Sequence, residues 1–191
     1  MEALLIIDMQ IGSFRLSKRY DKLGVVKRIN QLAGIFRKNN KPVIFIQHDG
    51  TKEKYLHTGT EDWKILPELK QEAFDLYIEK EANDSFYRTN LSILLEDHKI
   101  DHLYITGCAT DFCVNATVHS ALVKDINLTI VKDCHTTADR PNMKAEKNIK
   151  FHNWLWENMT PTNGKIQIKN LNEIKTSNKT FHRKPKQLGS R

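Results

Sequence analysis

The stretch LYITGCATDFCVN at residues 103–115 predicts a strand, a tight glycine turn and a helix with a cysteine in its first turn. The apolar run stops at Gly107, and from Phe112 to Lys124 apolar residues recur with the period of a helix. Cys113 therefore lies where backbone N–H groups have no intrahelical partner. Such a position is expected to lower the pKa of a thiol and to let two N–H groups converge on an oxyanion. The pattern indicates a nucleophilic cysteine.

Short apolar runs alternate with segments of helical period along the rest of the chain. The predicted strands are residues 3–7, 43–47, 76–78, 103–106, 128–131 and 166–168, and the predicted helices are residues 20–38, 91–98, 112–124 and 141–159, with a last helical turn at 171–174. Residues 9–17 and 48–66 are predicted to be loops. Alternation of this kind favours an α/β fold, in which a mostly parallel sheet lies between two layers of helices.

Two further residues with useful chemistry come at the ends of predicted strands. Asp8 follows the first strand directly, and Lys80 comes at the end of the third. In parallel sheets the ligand site lies at the carboxyl ends of the strands, so both should share an edge with Cys113. The carboxylate can accept the thiol proton and later release it, and the ammonium can pair with the carboxylate inside a closed pocket. The sequence predicts Asp8, Lys80 and Cys113 as catalytic residues.

Composition limits the classes of function. The formal net charge of +7 is concentrated in residues 175–191, which hold six Lys or Arg and no acidic residue. We expect one domain at residues 1–174 and a basic, flexible tail at 175–191, with no nucleic-acid partner because the folded part carries no such motif. Three cysteines without paired spacing predict free thiols. No apolar run reaches the roughly 20 residues of a membrane span, so we expect a cytoplasmic protein with no membrane partner.

Three motifs resemble the isochorismatase-like cysteine hydrolases over about residues 3–156. They are LLIIDMQ at residues 4–10, Lys80 at a strand end, and GCATDFCVNATV at residues 107–118. This superfamily includes nicotinamidases, carbamoylsarcosine amidases and streptothricin-type amide hydrolases. The resemblance implies a three-layer α/β/α fold with six strands in the order 3-2-1-4-5-6, and a homodimer or homotetramer.

The resemblance also implies roles for individual residues. Asp8, Lys80 and Cys113 correspond to the catalytic triad of the family. The peptide bond between Cys108 and Ala109 is expected to be cis, and the backbone N–H groups of Ala109 and Cys113 are expected to form the oxyanion hole.

One departure from the nicotinamidase pattern bears on metal binding. Nicotinamidases carry a D-x-H pair after the second strand, with a further histidine, as metal ligands. Here His48, Asp49 and His57 occupy that region without the spacing. We expect no metal and no cofactor, although the sequence leaves a metal near these three residues open. The loop resembles that of metal-free members such as streptothricin hydrolase.

The expected function is hydrolysis of a C–N amide bond of a small molecule through a thioester on Cys113. Three alternatives stay open: a metal-dependent nicotinamidase, an isochorismatase-type hydrolase of vinyl ethers, and a non-catalytic binding member. The vinyl-ether reaction needs no cysteine nucleophile, so Cys113 argues against it. Side chains near the predicted site are expected to bind the substrate, whose identity the sequence does not give. They are Gln10, Phe14, Trp63, Phe86, Tyr87 and Thr110.

Overall fold

The computed structural model of the chain describes residues 1–181, with side chains through residue 177. The strands are β1 (Glu2–Ile7), β2 (Val43–His48), β3 (Leu76–Lys80), β4 (His102–Cys108), β5 (Asn127–Thr136) and β6 (Ile166–Lys169). The helices are α1 (Ile11–Arg15), α2 (Lys22–Lys38), α3 (Leu91–Asp97), α4 (Asn115–Leu122), α5 (Ala145–Glu157) and α6 (Leu171–Phe181). The six strands form one parallel sheet in the order β3-β2-β1-β4-β5-β6, which confirms the predicted fold class and strand order.

The central strand explains why its sequence is apolar without interruption. Successive side chains of a strand point to opposite faces of the sheet. Leu4 and Ile6 of β1 pack in the cluster that includes α2 and α6, whereas Leu5 and Ile7 pack in the cluster that includes α3, α4 and α5. All four residues are buried, because helices cover both faces of the sheet.

Three elements differ from their sequence predictions. The predicted loop at residues 9–17 contains the short helix α1. Strand β5 continues to Thr136, five residues beyond the predicted end, because its polar end pairs with Gly107 and Cys108 of β4. Helix α6 continues to Phe181, so the predicted boundary between residues 174 and 175 falls inside a helix.

Helix α6 also fixes the start of the predicted tail against the domain. Lys175 donates a hydrogen bond to Gln31 of α2 at 2.5 Å, and Ile174 is buried in the core. Residues 182–191 of the predicted basic tail lie outside the described residues. Within residues 1–181, no helix combines the length and the apolar character that a membrane crossing requires.

Gly107, the turn residue that sequence analysis singled out, has a structural role that can be tested. Its φ is +119°, and a Cβ at this position would collide with the backbone of Ile7 on β1. We expect Gly107→Ala to lower the free energy of unfolding by at least about 2 kcal/mol, since both the conformation and the contact exclude a side chain. Chemical denaturation measures the change.

Gly34 supplies the matched control for this experiment. It lies in α2, and a Cβ there would meet no atom within 4 Å. Gly34→Ala should stabilise the protein by up to about 1 kcal/mol, because alanine loses less backbone entropy in a helix. Equal effects of the two substitutions would show that Gly107 is not constrained by its contact with β1.

Candidate active site

Four strand ends meet at one edge of the sheet and form the candidate site. Asp8 follows β1 with its backbone N–H bonded to the carbonyl of Ile46 at 3.0 Å. His48 ends β2 and Lys80 ends β3, and the two are partners in the strand register. Cys113 follows β4, in a π-helical turn (Thr110–Val114) that leads into α4. The structure therefore brings the three predicted catalytic residues to one edge.

Asp8 and Lys80 form a buried ion pair. Lys80 Nζ donates to Asp8 Oδ2 at 2.7 Å and to the carbonyl of Ala82 at 2.9 Å. Burial is the largest single influence and would lower the pKa of Lys80, but the charges and hydrogen bonds of Asp8 and Cys113 together outweigh it and raise the pKa, so the ammonium stays protonated. The other carboxylate oxygen, Asp8 Oδ1, is buried and accepts no hydrogen bond from the described residues.

The backbone of Asp8 is unusual for a residue with a side chain. Its φ is +48°, in the left-handed region. Aspartate and asparagine tolerate this conformation better than most residues, because their short polar side chains can bond locally. The chain turns at Asp8, directly after the end of β1, and the Asp8 residue is only 4% exposed.

Cys113 lies in a cavity of about 370 Å³ that Asp8 and His48 also line. Its thiol donates a weak hydrogen bond to Asn83 Oδ1 at 3.4 Å. The prediction of a lowered thiol pKa is wrong. Burial and the adjacent Asp8 carboxylate raise the pKa of Cys113 well above its ordinary value, although Lys80 acts in the opposite direction. The resting cysteine is therefore a neutral thiol that needs a base.

Ala109 and Cys113, the expected oxyanion-hole residues, both line this cavity. The peptide bond between Cys108 and Ala109 is cis, at the position where the resemblance implied it. The carbonyl of Ala109 accepts bonds from the backbone N–H groups of Phe112 and Val114 at 3.0 and 3.2 Å, which holds the loop against the turn that carries Cys113.

His48 is a neutral neighbour of the ion pair. Its Nδ1 lies 3.5 Å from Lys80 Nζ, and its Nε2 lies 3.7 Å from a carboxylate oxygen of Glu53. Burial, followed by the charge of Lys80, lowers the pKa of His48 below its ordinary value. A neutral imidazole can accept a hydrogen bond from Lys80 without repelling it.

The three candidate metal ligands do not converge. His48 turns toward Lys80 and Glu53, Asp49 accepts bonds from the backbone and hydroxyl of Thr51 at 2.9 and 2.5 Å, and His57 is exposed. Within residues 1–177, no group of three His, Cys, Asp or Glu side chains is arranged to hold a metal ion. These residues do not fit a nicotinamidase-type metal site.

The six predicted substrate-binding residues all lie in the described part of the chain, and none of them lines the cavity of Cys113. Two of them, Gln10 and Thr110, have side-chain polar groups that are used for structure. The amide of Gln10 donates to the backbone carbonyls of His48 and Trp63 at 3.0 and 2.9 Å, which occupies the Gln10 side chain. The side chain of Trp63 is not used in this way, since its buried indole Nε1 has no hydrogen-bond partner among the described residues. Thr110 Oγ1 lies 2.9 Å from His135 Nδ1 and is fully buried.

The other three are aromatic residues that pack elsewhere. Phe14 packs against the core on the side of α2, and Phe86 is buried in the opposite cluster. Tyr87 is 54% exposed and lies beneath the guanidinium of Arg88, 5.1 Å from its ring centroid. The prediction that these aromatic rings line the cavity is wrong, because the sequence did not indicate which side of the long loops each ring faces.

The alternative pair of Cys134 and His135 has a structural role. Both residues are buried inside β5. His135 is held between Thr110 and Asn153, and burial lowers its pKa to about 4. A neutral imidazole with both nitrogens in hydrogen bonds is not available as a base for Cys113.

Sequence reasoning missed several residues of the cavity wall: Arg19, Tyr55, Asn83, Phe112 and Arg140. The rule that selected Asp8 and Lys80 would also have selected His48, since it ends a strand at the same edge. The wall residues gave no comparable signal, because they come from loops and turns whose paths depend on tertiary contacts.

The raised pKa of Cys113 predicts how the thiol reacts. Iodoacetamide attacks the thiolate, so the rate of labelling at Cys113 should rise with pH through pH 9. Asp8→Asn removes the carboxylate charge and keeps a residue that tolerates positive φ. We expect the pKa of Cys113 to fall and labelling at pH 8 to speed up by roughly tenfold per unit of that fall. Mass spectrometry of the labelled peptides measures the rates.

Two internal controls apply to the labelling experiment. Cys108 and Cys134 are buried, and burial raises the pKa of Cys108 to about 11, so both should react slowly in every variant. Glu81→Gln removes an exposed carboxylate that pairs with Lys52 and should leave the rate at Cys113 unchanged. An unchanged rate in Asp8→Asn would mean that Asp8 does not act on the thiol.

The chain matches the Isochorismatase domain family over residues 2–165. The uncharacterized isochorismatase family protein YaaI of Bacillus subtilis is 31% identical over 146 residues, which cover 70% of this chain and 79% of YaaI. A streptothricin hydrolase of Streptomyces noursei is 26% identical over 144 residues, 74% of this chain and 56% of that protein. The ureidoacrylate amidohydrolase RutB of Yersinia enterocolitica is 30% identical over 105 residues, 53% of this chain and 46% of RutB.

The fold agrees with the family match. The crystal structure of an isochorismatase family protein superposes with a TM-score of 0.78 at 28% sequence identity, and the match covers 86% of this chain and 96% of that one. The family model matches most of the chain, and a solved member of the family has the same fold; the two observations agree on the family to which the chain belongs. The chain belongs to the isochorismatase family of hydrolases.

Proposed function

We propose that the protein is a cysteine hydrolase that cleaves a C–N amide bond of a small molecule through a thioester on Cys113. One observation carries the proposal. Lys80 holds Asp8 through a single carboxylate oxygen, and the other oxygen, which is buried, has no hydrogen-bond partner among the described residues. Asp8 and Cys113 line the same cavity. A buried carboxylate with one free oxygen, beside a thiol of raised pKa, suits a general base that accepts the proton of that thiol.

The first half of the reaction forms the thioester. Asp8 takes the proton of Cys113 as the sulfur attacks the amide carbonyl carbon, and the carbonyl electron pair moves to its oxygen. The C–N bond then breaks, and Asp8 gives its proton to the leaving nitrogen, which departs as an amine or ammonia. Lys80 stays protonated throughout and keeps Asp8 in place.

The second half restores the thiol. Asp8 removes a proton from water as the water oxygen attacks the thioester carbonyl. The C–S bond breaks, the acid is released, and the proton returns to the Cys113 sulfur. In both halves the negative oxygen is assigned to the backbone N–H groups of Ala109 and Cys113, which line the same cavity.

Two distant homologues support the proposal of a hydrolase that acts on amides. Ureidoacrylate amidohydrolase and streptothricin hydrolase carry hydrolase activities in their names, and the first name specifies an amide. The chain spans about half the length of each, so their substrates are not transferred to it. The cavity of about 370 Å³ is near the lower end of typical ligand sites and suits a small molecule.

We also propose a cellular location, which rests on the free thiols, and an oligomeric state, which rests on the family resemblance. We assign the protein to the cytoplasm, which suits three free cysteines. We also assign it a homodimeric or homotetrameric state, which light scattering of the purified chain measures directly.

The direct test combines turnover with capture of the intermediate. Purified protein is incubated with small primary and cyclic amides, and release of ammonia or amine is measured. Acid quenching during turnover should give a peptide containing Cys113 with the mass of the acyl group added. Turnover without an acyl group on Cys113 would overturn the thioester mechanism, and absence of turnover on every amide would favour the non-catalytic alternative.

A further inference from the structure

Two arginine side chains line the wall of the Cys113 cavity. Arg19 precedes α2 and Arg140 precedes α5. Their chain segments are joined by backbone pairing: Arg19 forms an antiparallel bridge with Ala138, and the N–H of Tyr20 donates to the carbonyl of Thr137 at 2.9 Å. The two guanidinium groups therefore belong to one connected part of the wall.

Arg19 has a positive charge without a carboxylate partner among residues 1–177. Its Nε donates to the carbonyl of Ser13 at 2.9 Å, which fixes the direction of the guanidinium. Its Nη1 is buried and has no hydrogen-bond partner in the described part of the chain. A buried donor on a charged group that is left unsatisfied is costly, and a water, an ion or a ligand that approaches the guanidinium from the cavity would relieve that cost.

Arg140 differs because it is already fixed by Asp111. Arg140 Nε donates to Asp111 Oδ2 at 2.6 Å and Nη2 donates to Asp111 Oδ1 at 3.0 Å. Asn148 and Thr137 also donate to this carboxylate at 2.9 and 2.6 Å. The hydrogen bonds of Arg140 in the described residues use Nε and Nη2, and none uses Nη1.

The aromatic ring of Phe112, in the turn before α4, completes this part of the wall. The guanidinium of Arg140 lies over the ring of Phe112, 4.7 Å from its centroid. Asp111 and Phe112 immediately precede the nucleophile in sequence. The structure thus couples the position of Arg140 to the turn that carries Cys113.

The acidic residues of the cavity do not neutralise Arg19. Asp8 is paired with Lys80 at 2.7 Å, and the Glu53 carboxylate lies 3.7 Å from His48. Neither forms an ion pair with Arg19 in the described residues. Arg19 is therefore a positive group on the cavity wall that forms no ion pair among residues 1–177, although Glu53, beside the neutral His48, leaves a negative charge on the same wall.

We infer that Arg19, with Arg140 beside it, binds a carboxylate of the substrate, so that the substrates are small amides that also carry a carboxylate group. This inference rests on the proposed amidohydrolase function and narrows it to anionic amides. The guanidinium fork of an arginine matches the two oxygens of a carboxylate, and charged hydrogen bonds of this kind are stronger than neutral ones. Arg19 is a substrate-binding residue, and Asp111 is a positioning residue for Arg140.

The test measures binding separately from turnover. In the Cys113→Ala protein, which cannot form the thioester, titration calorimetry compares succinamate with succinamide. Both are small primary amides on the same four-carbon chain, and only succinamate carries a carboxylate. We expect succinamate to bind at least about tenfold more tightly, since a charged hydrogen bond contributes this much. Equal binding of the two probes would overturn the inference without any further variant.

Two substitutions in the same background locate the effect. Arg19→Met should abolish the preference for succinamate, whereas Lys18→Met, which removes an equal charge from the adjacent exposed residue, should preserve it. A preference that survives Arg19→Met in a folded protein would overturn the role of Arg19. If the preference follows Arg19 but wild-type protein hydrolyses no amide, the carboxylate site stands and the proposed reaction fails.

Discussion

We expect Cys113→Ala to abolish amide hydrolysis, lowering kcat by at least about 10⁴-fold. The thioester cannot form without the sulfur, and the remaining groups can stabilise only the direct attack of water. Folding should be unaffected, because Cys113 is only partly buried and its thiol makes a weak hydrogen bond to Asn83. Turnover is measured by ammonia or amine release, and stability by chemical denaturation.

Cys134→Ala is the matched control for loss of a thiol. Cys134 is fully buried in the cluster on the side of α2 and does not line the cavity. Its replacement should cost about 1 kcal/mol of stability and preserve activity. If Cys113→Ala retained more than about a hundredth of the wild-type rate, which is far above the residual rate expected without a nucleophile, the covalent mechanism would be wrong.

The second large effect is expected from breaking the buried ion pair. Lys80→Met leaves the Asp8 carboxylate buried at 4% exposure without its partner. Removing one member of a buried pair destabilises a protein by about 3–5 kcal/mol, because the remaining charge is uncompensated. We expect a fall of this size in the free energy of unfolding, together with loss of hydrolysis, since Asp8 is no longer held. Chemical denaturation and the amide assay measure the two effects.

A double variant separates the pair from general damage. In Asp8→Asn with Lys80→Met, neither charge is left unpaired, so the protein should be more stable than Lys80→Met alone. Lys52→Met breaks an exposed ion pair with Glu81 and should change stability by less than about 1 kcal/mol. A Lys80→Met protein as stable as wild type would contradict a buried ion pair.

Both expected effects depend on the positions of Asp8 and Lys80 at strand ends. A sheet edge fixes Asp8 and Lys80 through backbone hydrogen bonds that do not depend on their side chains. The cost of burying the two charges is offset by their contact at 2.7 Å and by the carbonyl of Ala82. We therefore expect stability and hydrolysis to depend on the same pair, and the variants distinguish the two effects by separate measurements.

The sequence by itself determined the order of strands and helices and the edge on which the chemistry lies. Apolar runs such as residues 3–7 must be buried on both faces, so helices have to cover the sheet. Because the strands are parallel, their carboxyl ends lie at one edge of the sheet, which brings Asp8, Lys80 and the turn of Cys113 together. These features follow from local pattern and chain topology, and the structure has them as expected.

Only the tertiary structure decided the environment of the thiol and the composition of the cavity wall. The helix terminus predicted a lowered pKa for Cys113, but burial and the charge of Asp8, which is 105 positions away, raise it. The side chain of Gln10 is hydrogen-bonded to the backbone, and Phe86 is packed in the core. Arg19 and Arg140 line the cavity, where distant segments of the chain pair with each other. Side-chain direction in loops and the strength of a charge in a buried site are set by long-range contacts, which have no local signature in the sequence.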